Sequence, residues 1–151
     1  MTDVVDVATR RRMMSGIRGK DTQPELLIRR GLYQLGFRYR LHQQNLPGCP
    51  DLVFHSFRAV VLIHGCFWHG HSCHLFKLPS TRTEFWQNKI ESNKKRDHST
   101  TIKLIEDGWR ILIVWECSLK GRARRPLDIV LAEVASWLRN GIGNAELKGI
   151  D

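Results

Sequence analysis

At 151 residues the chain has the size of one domain with a core of its own, so its folding need not rest wholly on a metal or on disulfides. Lysine and arginine number 24 against 15 aspartates and glutamates, a net charge of +9. That excess favours a polyanionic partner, because each neutralised phosphate releases counterions, against the plain alternative of a basic soluble protein. The start, MTDVVDVATR, lacks the apolar core of a signal peptide, and the apolar runs 59–63 and 111–115 are too short to span a membrane. A cytoplasmic location is therefore expected, with the four cysteines reduced or metal-bound rather than paired.

Residues 1–21 are polar and basic, with Arg10, Arg11, Arg12, Arg18 and Lys20 interrupted by Met13, Met14 and Ile17. They read as an arm with at most a short helix. Thr22, Pro24 and Glu25 then mark a helix start: Thr as N-cap, Pro in the first turn, Glu three residues on. Ile28, Leu32 and Leu35 recur at helical spacing, and Gly36 stands where a C-cap belongs. Residues 37–41 alternate as a half-buried strand does, and NLPGCP at 45–50 is a loop. Residues 51–55 and 59–64 read as two strands joined by a tight turn. The second is continuously apolar, as for a strand covered on both faces. Residues 65–79 show no periodicity and are rich in Cys and His. Thr81 and Glu84 form a second capping box before a long helix over 82–107, with Phe85, Ile90, Leu104 and Ile105 among its apolar positions and Gly108 at its end. Residues 110–116 are a buried strand. A basic connector, 120–125, leads to a last helix opened by Pro126, whose buried face carries Val130, Val134, Trp137 and Leu138. The expected architecture is a single α/β domain, three layers around a central mixed sheet. Its expected divisions are an N-terminal arm (1–21), a body (22–140) and a flexible tail (141–151).

The chemistry concentrates in CPDLVFHSFRAVVLIHGCFWHGHSC, residues 49–73. Asp51 opens one strand, the next strand ends in His64 and leads to His69, and Glu25 lies early in the preceding helix. An Asp after Pro is more often a turn residue, but this company makes it a candidate. Phosphodiester hydrolysis needs a divalent cation on hard oxygen ligands, a deprotonated water and charge relief for the phosphate. One carboxylate with backbone carbonyls can hold Mg²⁺, which keeps several waters, and a neutral histidine suits a general base near pH 7. His64 and His69 are both candidates for that base. Cys66, His71 and Cys73 supply three zinc ligands, and Cys117 comes close to Cys66 if its strand runs parallel beside 59–64. His69 or His74 could stand in for His71, Cys49 is a spare thiol, and the alternative is reduced cysteines without metal. Phe67 and Trp68 sit among these ligands, with Trp86 just beyond. Aromatics so placed can wedge between base steps, where unstacking is easier at a mismatched pair. Met14 and Ile17 could meet them from the other groove, or else cap the core. Lys89, Lys94, Lys95 and Arg96 are candidate phosphate contacts, against the default of a solvated helix face.

The blocks LPGCPDLVF, IHGCFWHGHSCHLFKLPSTRTEFWQNKI and GWRILIVWECSLKGR carry a resemblance. From about residue 6 to residue 122 the chain resembles the very-short-patch repair (Vsr) endonucleases, DNA mismatch endonucleases specific for thymine opposite guanine. The resemblance implies a restriction-endonuclease-like fold, catalysis with Mg²⁺ and a structural zinc. It implies Asp51 as the Mg²⁺ ligand, assisted by the backbone carbonyl of Ile63, with Glu25 reaching metal-bound water. It implies His69 as general base or charge stabiliser with His64 nearby, and zinc on Cys66, His71, Cys73 and Cys117. Phe67, Trp68 and Trp86 would be the wedge from the major groove, with Met14 and Ile17 on the minor-groove side. Restriction enzymes usually carry an acid and a lysine on the strand after the aspartate; here Leu62-Ile63-His64 stands instead. The expected activity is a nick 5′ to the thymine of a T·G mismatch, such as deamination of 5-methylcytosine leaves, made by a monomer on double-stranded DNA in the cytoplasm of a prokaryote, at the nucleoid. Mismatch-repair proteins are candidate partners. Two rival readings are a restriction-type endonuclease cutting both strands of a paired site, and a catalytically silent zinc-stabilised DNA-binding module.

Overall fold

A computed structural model describes residues 21–150. Residues 1–20 of the expected N-terminal arm, with Met14 and Ile17, lie outside the described residues. Helix α1 (Gln23–Gln34) starts as its sequence dictates: the Thr22 side chain accepts the Glu25 N–H. It ends at Gly36, whose φ of +98° suits a residue without a Cβ, and Phe37 N–H returns to the Leu32 carbonyl at 3.0 Å. Gly31 inside the helix has a packing reason. A Cβ there would stand 2.3 Å from Leu131 Cδ1, so this is where α1 crosses the last helix closely.

Five strands form one sheet in the order β1-β2-β3-β4-β5. They are β1 (Arg40–Leu41), β2 (Leu52–Phe54), β3 (Ala59–His64), β4 (Arg110–Trp115) and β5 (Ala145–Leu147). β1, β2 and β3 pair antiparallel; β3, β4 and β5 pair parallel, so the sheet is mixed. Helix α2 (Thr83–Glu106) lies between β3 and β4 in the chain, and α3 (Leu127–Asn140) between β4 and β5. The apolar runs sort into two faces at the period of two that a strand imposes. Leu52, Phe54, Ala59, Val61, Leu112 and Val114 pack with Ile28 and Leu32 of α1 and Val130, Val134 and Leu138 of α3. Val53, Val60, Leu62 and Ile111 pack with Leu104 of α2 and with Trp109. Helices on both faces make the three layers, and they explain why β3 and β4 read as unbroken apolar runs.

Three expectations are corrected. The strand expected over 37–41 shrinks to Arg40–Leu41, both exposed, because Phe37 turns into the core instead of alternating along a sheet. The capping box at Thr81 does not form. Arg82 caps α2 in the left-handed region with no side-chain bond, and the Thr83 hydroxyl donates to the Pro79 carbonyl at 2.9 Å. The expected loose tail instead carries β5, in register Leu112↔Ala145 to Val114↔Leu147. Helix α2 buries only Ile90, Asn93 and Leu104; Phe85 and Ile105 are exposed. No helix among the described residues is long and apolar enough to cross a membrane.

The topology gathers the chemistry at one end of the sheet. Antiparallel pairing sets the start of β2 against the end of β3, and parallel pairing sets the ends of β3 and β4 side by side, His64 opposite Trp115.

Candidate functional site

Asp51 precedes β2, and its Oδ2 accepts the Ile63 N–H of β3 at 2.7 Å. Burial pushes the Asp51 carboxyl up to about 7, with Glu25 adding to the rise, while the Ile63 N–H, His42 and His69 pull it down. Glu25 is itself buried, 1% exposed, in the first turn of α1. A lone buried carboxylate would be costly, and this one has partners on both oxygens. Arg29 Nη1 donates to its Oε2 at 2.7 Å, the Asp21 N–H reaches Oε1 at 3.2 Å, and His42 Nε2 lies 3.0 and 2.9 Å from its two oxygens. The His42 backbone N–H also donates to the Asp51 backbone carbonyl at 3.1 Å, so His42 ties the Glu25 carboxylate to the Asp51 backbone.

His64 ends β3, and burial followed by the neighbouring His69 pushes its imidazole down to about 3. It is therefore neutral near pH 7, and its Nδ1 is buried with no partner among the described residues. His69 lies parallel on it, 3.7 Å between ring centroids and 1° between planes. His69 Nδ1 is 2.6 Å from Asp97 Oδ2 of α2. A carboxylate there accepts a hydrogen bond from Nδ1–H and leaves Nε2 as the ring's acceptor. Sequence reading brought Asp51, Glu25, His64 and His69 forward but missed Asp97, His42 and Arg29. Only Arg29, one helical turn from Glu25, carried a local signal.

A second cluster begins two residues past His64. The donor atoms of Cys66, His71, Cys73 and Cys117 all lie within 4.8 Å of one another. Cys66 Sγ and Cys117 Sγ are 3.5 and 3.6 Å from His71 Nδ1. Zinc bonds of about 2.3 Å to sulfur and 2.0–2.1 Å to nitrogen give tetrahedral edges of about 3.5–3.8 Å, so the donor set fits that ion. The sulfurs also accept backbone N–H groups, Cys117 N–H to Cys66 and Gly149 N–H to Cys117, each at 3.3 Å. Without an ion, burial pushes the Cys66 and Cys117 thiols up. His69 is engaged with Asp97 and His74 packs against Gly121, which leaves His71 in the cluster; Cys49 is exposed and outside it.

The loop that carries these ligands also carries the aromatics. Phe67, Trp68 and Trp86 form a three-ring cluster with centroids 5.1, 5.7 and 5.8 Å apart. Asn93 Nδ2 of α2 donates to the Trp68 carbonyl at 2.8 Å and ties the loop to the helix. Lys89, Lys94, Lys95 and Arg96 stand exposed along the same helix.

A family model described as DNA mismatch endonuclease Vsr matches residues 2–75. The chain is 44% identical over 134 residues to the type II nicking enzyme V.XorIIP of Xanthomonas oryzae pv. oryzae, across 85% of this chain and 98% of that protein. It is 44% identical over 138 residues to the DNA mismatch endonuclease Vsr of Escherichia coli K12, across 91% of this chain and 88% of that protein. It is 40% identical over 136 residues to the type II nicking enzyme V.NmeAIP of Neisseria meningitidis, across 89% and 97%.

Proposed function

The chain belongs to the Vsr family of DNA mismatch endonucleases, and on that premise we propose that it nicks duplex DNA on the 5′ side of a thymine mispaired with guanine. The observation that carries the reading is one short segment, 64–73, which brings His64 and His69 beside Asp51, sets Phe67 and Trp68 against Trp86 of α2, and supplies three of the four clustered Cys and His donors. Relatives named as nicking enzymes support cutting of one strand. The T·G mismatch that deamination of 5-methylcytosine leaves is the proposed substrate, met by a monomer whose N-terminal arm, 1–21, reaches the minor groove with Met14 and Ile17.

Asp51 and the Ile63 carbonyl would hold Mg²⁺, with Glu25 reaching its hydration shell. When bound, that ion relieves charge on the phosphate in the transition state. Asp97 holds the His69 ring so that Nε2 accepts a proton from the attacking water. His64, neutral and stacked, fixes the plane of His69 and would donate its one ring N–H to a phosphate oxygen. Cys66, His71, Cys73 and Cys117 would hold zinc and so fix the loop that carries His69, Phe67 and Trp68. Asp97→Asn is expected to slow nicking about 10²-fold in single-turnover assays, within the usual range for a general base, at unchanged DNA affinity. A drop in affinity with an unchanged rate would remove Asp97 from this role.

Recognition is proposed to rest on the Phe67, Trp68 and Trp86 cluster, with Lys89 on a phosphate. Stacking an aromatic on a base is worth about 1–3 kcal/mol. Trp86→Ala is therefore expected to reduce the preference for a T·G duplex over its paired counterpart about tenfold or more. Gel-shift titrations in the catalytically silent Asp51→Asn background measure this. Equal binding of both duplexes before the Trp86 change would refute mismatch recognition by this chain.

A further inference from the structure

The segment after α3 reaches the four-donor cluster by two separate routes. β5 lies against β4 in the register Ile113↔Glu146 and Val114↔Leu147. From it, Glu146 Oε1 accepts the Trp115 Nε1–H at 2.6 Å. The Trp115 ring lies flat on His71, 4.1 Å between centroids and 8° between planes. Two residues past β5, Gly149 N–H donates to Cys117 Sγ at 3.3 Å, and Ile150 N–H donates to the Ala123 carbonyl at 2.8 Å. Gly149 leaves no room for a side chain, since a Cβ there would stand 2.5 Å from the Cys117 carbonyl and 2.8 Å from that of Ala123.

We propose that residues 145–150 are a supporting part of the metal centre, with Glu146 acting through Trp115 on His71 and Gly149 acting on Cys117. This rests on reading the four donors as a zinc site. A histidine ligand binds only when its ring plane and Nδ1 face the ion, and free rotation about the side chain works against that. Trp115, 8% exposed, is a rigid plate that holds the His71 plane. A buried indole needs a partner for its N–H, and that partner also sets how the plate lies. Glu146 meets the need from a neighbouring strand. Gly149 N–H holds the Cys117 sulfur, as Cys117 N–H holds the Cys66 sulfur, by a backbone group that no substitution elsewhere supplies. Groups in this position behind a metal ligand typically change affinity about 10–100-fold when removed.

The test is zinc release from the purified full-length protein to a chromophoric chelator, after metal per chain has been measured. Glu146→Leu and Gly149→Ala are each expected to speed release about tenfold or more. Glu146→Gln, which keeps an acceptor oxygen for the indole, is expected to stay within about threefold of the parent, a rescue that a purely structural role of the strand would not produce. Asn144→Ala is the control: it loses the bond from Ile111 N–H (2.8 Å) at the other end of the strand, and release should stay unchanged. Unchanged release in both Glu146→Leu and Gly149→Ala overturns the proposal, as does equal acceleration in Asn144→Ala. A parent protein that holds no zinc overturns the metal reading together with this one, whereas stoichiometric zinc with unchanged release overturns this one alone.

Discussion

Asp51→Asn is expected to slow nicking of a mismatched duplex by about 10³-fold or more while leaving mismatch binding largely intact. The size follows from the several kcal/mol that a bound divalent ion contributes to a phosphoryl transition state, at about 1.4 kcal/mol per tenfold. The amide keeps the shape of the side chain and can still accept the Ile63 N–H, so the β2–β3 pairing is undisturbed. The same substitution carries a pH signature. The ordinary value of an aspartate is 3.8 and burial raises the folded one to about 7, so folding favours the protonated carboxyl. Below pH 4 that side chain is protonated in both states and has no net effect. As pH rises toward 7 and beyond, the folded protein holds a charge it would rather neutralise, and stability is lost. Asn carries no charge at any pH. Without added divalent ion, Asp51→Asn should therefore unfold at higher denaturant than the parent at pH 8, by a few kcal/mol, and at the same denaturant below pH 4. Added Mg²⁺ should narrow the gap at pH 8 by stabilising the parent alone. Equal loss of binding and cutting would tell against a catalytic role for Asp51.

The second large effect is expected from the cysteine cluster. Removing the metal, or replacing Cys117 by Ala, should release the loop 65–79 without unfolding the domain. The two faces of the sheet are packed largely by residues outside the cluster of Cys66, Trp115 and Cys117, with Ile113 bridging to it, so the core stands without the ligands. The packing of the loop is confined to the ligand cluster, where Leu75 lies against Cys66, Trp115 and Cys117 and His71 lies on Trp115. Its other anchors are the Cys66 N–H bond to Glu116, the Asn93 bond to the Trp68 carbonyl and the His69–Asp97 contact. Loss of the metal should separate Phe67 and Trp68 from Trp86, and His69 from His64, so nicking should fall about 10²-fold or more through lost positioning. Far-UV circular dichroism should persist, near-UV signal from the tryptophans should change, and a protease should cut within 65–79. Global unfolding at stoichiometric metal loss would contradict this division between core and loop.

How much of this the sequence disclosed follows from the range of the interactions. The apolar runs of β3 and β4 announced buried neighbouring strands, and their parallel pairing alone carried Cys117 to Cys66. Asp51 and His64 were legible because strand ends mark where side chains converge. Asp97 was not, because it sits mid-helix in SNKKRDHS, a stretch with the composition of a solvated face, 28 residues from the histidine it meets. His42 meets Glu25 across 17 residues from a left-handed position in a loop, again with no periodicity to reveal it. β5 is three residues long and holds a glutamate, so it escapes any strand pattern; its role comes from the edge of β4 it covers. The capping box at Thr81 misled because the backbone at Arg82 turns left-handed and directs the Thr83 hydroxyl to Pro79.

The measurement that bears most directly on the proposed reaction uses duplexes with each strand labelled in turn, one carrying T·G and one fully paired, with and without Mg²⁺. The expected result is a single product, cut 5′ to the mispaired thymine, on the thymine strand alone, only with Mg²⁺ and only in the mismatched duplex. Cutting of both strands in the paired duplex would contradict it.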